Sequence, residues 1–522
     1  MPTTPMARRG MVTSPHHLAS QAGLAVLREG GNAIEAAIAA AAVLSVVLPH
    51  KGGLGGDGFW LIAEPGKPPV SIDGSGSTGA KVDADLYRRE RQKTIPHRGG
   101  LATGTVPGLV SAWQLALDVS DQWGGGIPLE RLLEDAIHYA RSGYAVSQEQ
   151  AEYSQHHLTA LRRAAGFSET FLTRNKPPIT GHSQAVPPLA TTLEHLAANG
   201  LDDFYRGQVA QQLAADLKAA GSPLTAEDLA RHRGMRRRPL SLATPLGSCF
   251  SSAPPTQGLA SLMVLGVMQR LPAMQVRQAD WMLALHIAAA HAGRIRDQHI
   301  GDPNRMSVHA TTYLTDPMLD RIVDEIRNQS PAPDSTAGLE RDGAWLGVVD
   351  GHGRAVSYGH SLGSAFGSGV FSSATGIVCS NQVATFTLES GHQNAQEARR
   401  KPLHSLSPSL IRLRDGRVMM WGCGLGENQP LVLAQIFSRI LLAGQSLQSA
   451  VSAPRFVDGQ GQLCLESGFD PLVHDALTSA GHAASASSGV IPVGQVGVIC
   501  RRPDGMIEGA ADPRGDGSVA GW

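Results

Sequence analysis

The chain has 522 residues, of which 42% are hydrophobic and 17% charged, a balance that excludes a disordered or fibrous protein and allows a large folded core. Lys and Arg together number 44 against 45 Asp and Glu, a formal net charge of -1. Such near-neutrality supplies no overall field to gather nucleic acid or an acidic membrane surface, so neither is expected as a partner.

The first residues, MPTTPMARRGMVTSPHH, carry two arginines with no apolar run behind them. That is unlike a secretory signal, and a cytoplasmic location is expected. Apolar spacing predicts a helix over 17–29, closed by Gly30-Gly31, and a second over 33–48 with Asn32 as its cap. The second is Ala-rich, interrupted by Glu35 and Ser45, and too short to span a bilayer comfortably, which makes it a buried helix. PHKGGLGGDG then turns into a strand over 59–63, with 70–73 as its hairpin partner. Its glycines fit either a tight turn or a backbone wall against a ligand.

Helical periodicity dominates 128–300, as in 129–142, 189–199, 207–220, 259–271 and 279–297, with Thr225 capping a short helix over 226–230. APPTQG at 253–258 breaks the run. RHRGMRRR at 231–238 is a basic cluster, read as a solvated or salt-bridged face. NQSPAPDSTAGL at 328–339 is a linker too poor in large apolar groups to fold alone. Short strands with glycine turns follow: 345–349 and 355–358 around Asp350-Gly351-His352-Gly353, then 376–379, 410–413 and 418–421. Helix returns over 429–443 and 470–480. Two strand-rich regions separated and followed by helices predict layered α+β packing around one shared core.

Five cysteines, an odd number with no CxxC pair, argue against a disulfide framework or zinc site and for reduced thiols. Neither HExxH nor a Walker loop is present, and both GxGxxG matches, at 53–58 and 74–79, lack the strand-then-helix setting of a dinucleotide site, so no metal or cofactor is expected. GHSLG at 359–363 matches a nucleophile elbow and follows a strand, but SAFGSG after it is a loop where an elbow needs a helix. His286 and His291 are five apart and share a helical face poorly. His404 stands beside Ser405 and Ser407 in a polar loop, and GCGLGEN at 422–428 leads from a strand into a helix. The free N–H groups there could receive an oxyanion or carboxylate, or simply make an ordinary turn.

The chain resembles the γ-glutamyltransferase family of N-terminal-nucleophile hydrolases from about Arg9 to Trp522. GMVTSPHHLASQAGLAVLREGGNAIEA, PHKGGLGGDGFWLI, APPTQGL, RDQHIGDP, GVVDGHGRAVS with FGSGV, KPLHSLSPSL and EGAADPR carry the resemblance. Within the family, GLGGDGFWLI, APPTQG, KPLHS and EGAADPRGDGSVAGW are more similar to the oxamate amidohydrolase branch than to glutathione-cleaving members. The resemblance implies a four-layer αββα sandwich in which 1–342 corresponds to a large subunit ending in a linker at about 328–342, and 343–522 to a small subunit, the two forming one structural unit. It also implies a precursor that cuts itself at the linker's end, freeing a threonine whose hydroxyl is the nucleophile and whose new α-amine is the base.

The family threonine falls at Gly343, which has no hydroxyl. Ser335 and Thr336 in the linker are the nearest upstream hydroxyls. Carried over one position at a time, Ser361 stands where a second hydroxyl supports the nucleophile, and Gly363 where an asparagine is usual. Gln382 matches a substrate contact; Thr385 replaces the acid that holds a glutamyl amino group; Ser75 replaces the arginine that clamps the glutamyl carboxylate. Leu425-Gly426 takes the place of the Gly-Gly oxyanion pair. A glutamyl substrate is therefore not expected. Two readings stand: an amidohydrolase or acyltransferase acting on a small amide such as oxamate, with Ser361, Leu425 and Gly426 about the reacting centre and Gln382, His404 and Ser405 on the substrate; or a non-catalytic relative that binds a small amide or carboxylate, or serves as a homo-oligomer or as the partner subunit of an active paralogue.

Overall fold

The structure is a computed structural model that describes residues 3–271, 278–328, 341–459, 462–479, 483–486 and 494–522. Ser335, Thr336 and most of the linker lie outside the described residues.

The strand Asp342–Val349 shows how the layers arise. Alternate side chains leave its two faces: Ala344, Leu346 and Val348 join one apolar cluster with the helix Ala33–Val47, while Trp345 and Val349 join another with Met420 and Ile499 of a second sheet. A strand buried on both faces needs apolar residues at every position, which is why WLGVV shows no polar alternation. The same division recurs across the molecule. Trp60 and Ile62 face helices while Leu61 and Ala63 face the other sheet, and Met419 and Trp421 face helices while Met420 faces inward.

Two seven-stranded sheets result. One runs Met6–Ala7, Ile507–Ala511, Val496–Arg501, Val418–Cys423, Ser409–Leu413, Gly247–Ser251, Leu240–Ala243; the other runs Ser518–Gly521, Met11–Ser14, Asp342–Val349, Ala355–Gly363, Asp57–Ala63, Val70–Gly74, Met235–Arg237. The helices His17–Arg28, Ala33–Val47, Leu109–Gln122 and Leu129–Ser142 cover the second sheet, and Gly258–Met268, Gln278–His299 and Gln429–Phe437 cover the first. The order helix, sheet, sheet, helix is the expected αββα sandwich. Each sheet mixes strands from before and after residue 342, so neither part of the sequence owns a core.

Local signals explain several boundaries. Asn32 accepts from the N–H groups of Ile34 and Glu35 at 2.9 and 3.2 Å, and Glu35 Oε2 accepts from the Asn32 N–H at 2.7 Å, a reciprocal cap that starts the buried helix. Thr225 caps Ala226–Arg231 in the same way with Asp228. The glycines of PHKGGLGGDG make a packed turn: a Cβ at Gly55 would lie 2.0 Å from the Val378 carbonyl oxygen and one at Gly56 2.3 Å from that of Ser361. The basic cluster is salt-bridged, with Arg237 2.9 Å from Asp73 and Arg236 3.7 Å from Asp118.

Some expectations need correction. The 128–300 region is not wholly helical, because Met235–Arg237, Leu240–Ala243 and Gly247–Ser251 are strands, the last pairing with Ser409–Leu413 far along the chain. The strand predicted over 355–358 runs on to Gly363, so GHSLG is strand and, as expected, no elbow. The helices Leu109–Gln122 and Asp316–Arg327 and the C-terminal strands fall outside the predicted elements. Among the described residues no helix is long and apolar enough to cross a membrane, and no group of three or more His, Cys, Asp or Glu could hold a metal ion. All five cysteines are free thiols.

Candidate functional site

Gly343 is the second residue of the strand Asp342–Val349, opposite an irregularity in the partner strand where Asp342 pairs with Gly363 but Ala344 with His360. Ser361 lies in that irregularity. Its hydroxyl donates to the Asp342 carbonyl at 2.5 Å and accepts from the Gly363 N–H at 2.8 Å. It thus holds the carbonyl of the Asp342–Gly343 peptide. Gly363 has φ +95°, and a Cβ there would fall 2.2 Å from Asn381 Oδ1, so the usual asparagine would not fit this backbone.

The room at Gly343 is gone along with the hydroxyl. A Cβ would meet the His360 carbonyl oxygen at 2.7 Å, Leu406 Cδ2 at 3.1 Å and Ser361 Cβ at 3.2 Å. Gly424 presses from the other side, so close that its own Cβ would lie 2.0 Å from the Gly343 carbonyl oxygen.

Asp342 is pinned by its side chain as well. Its Oδ1 accepts from the Gly343 N–H at 2.8 Å, and its Oδ2 accepts from the Tyr153 hydroxyl at 3.0 Å and lies 3.5 Å from Lys51 Nζ. Lys51, almost wholly buried, reaches Glu149 Oε1 at 2.5 Å, and Glu149 also meets His50 at 3.2 Å and Gln495 at 2.9 Å. Two carboxylates therefore share one ammonium. Burial opposes charge on all three, yet Lys51 and His50 hold Glu149 down to about 2, and the two carboxylates raise Lys51 above its ordinary value. For Asp342 burial wins, and its carboxyl is pushed up.

Beside this strand end lies a cavity of about 370 Å³. Its lining includes His404, Ser405, Thr385, Arg296, Arg341 and Glu427. His404 is buried; its Nδ1 accepts from the Leu406 N–H at 3.2 Å, which leaves the proton on Nε2, 3.5 Å from Asp57 Oδ2. Arg296 is held by two bonds, Nη1 on Gln257 Oε1 at 2.8 Å and Nε on Asp297 at 2.6 Å. Gln257 in turn donates to the carbonyls of Ser405 and Gly426, the latter at 2.6 Å. Arg341 lies 3.7 Å from Glu427, with the Arg296 charge also near it.

Of the residues expected about a ligand, His404, Ser405 and Thr385 line the cavity. Gln382 does not; its amide donates to the Leu403 carbonyl at 2.9 Å and braces the lining from behind. Ser75 is buried against Asp73, its hydroxyl 2.5 Å from Oδ1. Leu425 and Gly426 open the turn ahead of Gln429–Phe437, close behind the Cys423 thiol, which burial pushes up to about 12.

Lys51, Glu149, Tyr153, Gln257, Arg296, Arg341 and Glu427 were not singled out as site residues. APPTQG and RDQHIGDP contain Gln257 and Arg296, and a lysine set in the apolar surroundings of PHKGG was the other readable sign.

The gamma-glutamyltranspeptidase family profile matches residues 19–522. The chain belongs to the gamma-glutamyltranspeptidase family. It is 42% identical, over the whole of both chains, to a Klebsiella pneumoniae protein described as an oxamate amidohydrolase proenzyme. A Bacillus subtilis glutathione hydrolase-like YwrD proenzyme is 33% identical across 98% of each chain. Among solved structures, cephalosporin acylase from Bacillus halodurans superposes with a TM-score of 0.92 and 29% identity over 100% of this chain and 97% of that one. As a gamma-glutamyltranspeptidase-family chain, the protein carries a two-sheet core with glycine as the second residue of the strand Asp342–Val349.

Proposed function

We propose that the protein is an uncut member of its family that binds a small carboxylate or amide and does not hydrolyse it. Gly343 carries this reading. A hydroxyl at the strand end is needed both to attack the preceding carbonyl and to attack a substrate amide, and at this position there is neither an oxygen nor space for the Cβ that would bear one. Among the described residues beside the strand end, neither Ser361 nor Cys423 substitutes. The Ser361 hydroxyl is committed to the Asp342 carbonyl and the Gly363 N–H, and the Cys423 thiol is held far from its thiolate. The cavity, by contrast, is kept, with polar side chains converging on it as in a ligand pocket. Relatives described as an oxamate amidohydrolase and a glutathione hydrolase-like protein support a small amide or carboxylate as the ligand class.

Intact mass of the purified protein, followed by ammonia release from oxamate, tests the proposal. One full-length mass and no ammonia are expected. Two fragments parted between Asp342 and Gly343, or steady ammonia release, would overturn it.

A further inference from the structure

We infer that Arg341 is the carboxylate-binding residue of this cavity, supplied by the uncut chain itself: a short carboxylate bearing an amide at its other end docks with its acid group on the Arg341 guanidinium. This rests on the reading above, because Arg341 lies on the far side of the Asp342–Gly343 peptide and keeps its position only while that bond is intact.

The case begins with an unsatisfied donor. Arg341 is buried, its side chain only 5% exposed, and among the described residues its Nε has no hydrogen-bond partner. A buried guanidinium N–H left without an acceptor is costly. Its one neighbouring carboxylate, on Glu427, stands off at 3.7 Å and is 27% exposed, free to turn outward. Arg296 differs, being occupied by Gln257 and Asp297. It contributes positive potential to the cavity but offers no comparable vacancy. A ligand carboxylate on Arg341 could accept two parallel N–H bonds in the planar fork geometry that guanidinium favours.

The remaining wall suits a small amide. The Thr385 hydroxyl donates to the Gln382 carbonyl at 3.0 Å and keeps its lone pairs, and Ser405 and His404 lie on the same lining. A volume of about 370 Å³ falls at the small end of ligand pockets. Arg341 is held there by its neighbour: the Asp342 carbonyl on Ser361 and the Asp342 carboxyl on Tyr153 and near Lys51 fix the backbone from which the guanidinium extends.

Calorimetric titration of the full-length protein with oxamate and with oxamide, its neutral counterpart, tests the assignment. Oxamate should bind and oxamide should not. Arg341→Gln should weaken oxamate by about 10- to 100-fold, the worth of a charge-assisted hydrogen-bond pair, and Arg341→Lys should recover part of the loss. Glu427→Gln should tighten oxamate several-fold by removing the carboxylate that competes for Arg341. Unchanged oxamate binding by a folded Arg341→Gln protein, or equal binding of oxamide, would overturn the assignment. If Arg341→Gln fails to fold, Glu427→Gln decides: no tightening overturns it. An uncut wild-type chain that takes up neither oxamate nor oxalate at millimolar concentration defeats this inference alone, whereas fragments or ammonia release defeat the reading beneath it.

Discussion

At residue 343 the hydroxyl and the space for it are both absent, and the second loss changes what a single substitution can restore. Gly343→Thr returns an oxygen, but its Cβ must first displace the His360 carbonyl from 2.7 Å. Overpacking of this kind costs about 1–3 kcal/mol. We expect the variant to unfold at lower urea than wild type and to remain uncut on incubation, with Gly343→Ala losing most of the same stability because the clash starts at Cβ. Urea titration with gel analysis checks both. Ser361→Ala leaves the Asp342 carbonyl and the Gly363 N–H without their shared partner in a dry interior, a loss of about 1–3 kcal/mol; a change below the error of denaturant titration would count against that role. The positions of Gly343, Ser361, His404 and Ser405 were readable because each stands in a motif. Arg341 and Lys51 were not, since nothing local in the sequence says that Lys51 meets Asp342 or that Arg341 faces Glu427.

At the scale of elements, legibility followed the range of the contacts. Helix Ala33–Val47 announced itself through Asn32 and Glu35, within one turn, and the hairpin of Asp342–Val349 and Ala355–Gly363 through the turn between them. Gly247–Ser251 pairs with Ser409–Leu413, and Met11–Ser14 with Ser518–Gly521. Gly247–Ser251 and Met11–Ser14, only four or five residues long, owe their existence to these partners far along the chain, so no window of sequence contains their cause. The ion cluster that ties the turn at Lys51 to the helix Gln148–His156 and the strand at Asp342 is of the same kind. Lys51→Met would leave Glu149 and Asp342 facing one another without a cation, and breaking a buried ion pair from one side costs about 3–5 kcal/mol. We expect that loss in urea unfolding, with Lys51→Met/Glu149→Gln recovering a substantial part of it. A double variant no more stable than the single one would mean that the lysine acts through packing.

For the whole molecule, the interleaving of strands from both sides of residue 342 makes the two sheets one cooperative unit, so charge buried anywhere in it is felt in global unfolding. Three deeply buried histidines matter most, while His157, half-buried and held at about 4, and His97 and His291, also lowered by burial, add to the same effect. His360 is fully buried with neither ring nitrogen hydrogen-bonded, and burial holds it at about 3; His16 and His232 are likewise held at about 3, by burial first and then by neighbouring positive groups. In the unfolded chain each returns to about 6.5. The folded state therefore refuses protons that the unfolded state accepts, and the stability this represents is complete above about pH 6.5 and lost as pH falls toward the folded values. At about pH 5 each histidine forfeits about 2 kcal/mol, a large share of a typical folding free energy. Glu149, held near 2, adds a loss of the same sign only below about pH 4.5, whereas Asp342 and Asp350, pushed up by burial, act in the opposite sense in the acid range. The window between about pH 6.5 and 5 thus belongs to the histidines. We expect the urea midpoint to fall steadily through it, and His360→Gln, which removes one of at least four titrating groups, to reduce that slope by about a quarter relative to wild type. Measured at half-unit steps, parallel curves for the two proteins would show that His360 gains its proton without unfolding, and that the centre of the sheet admits water.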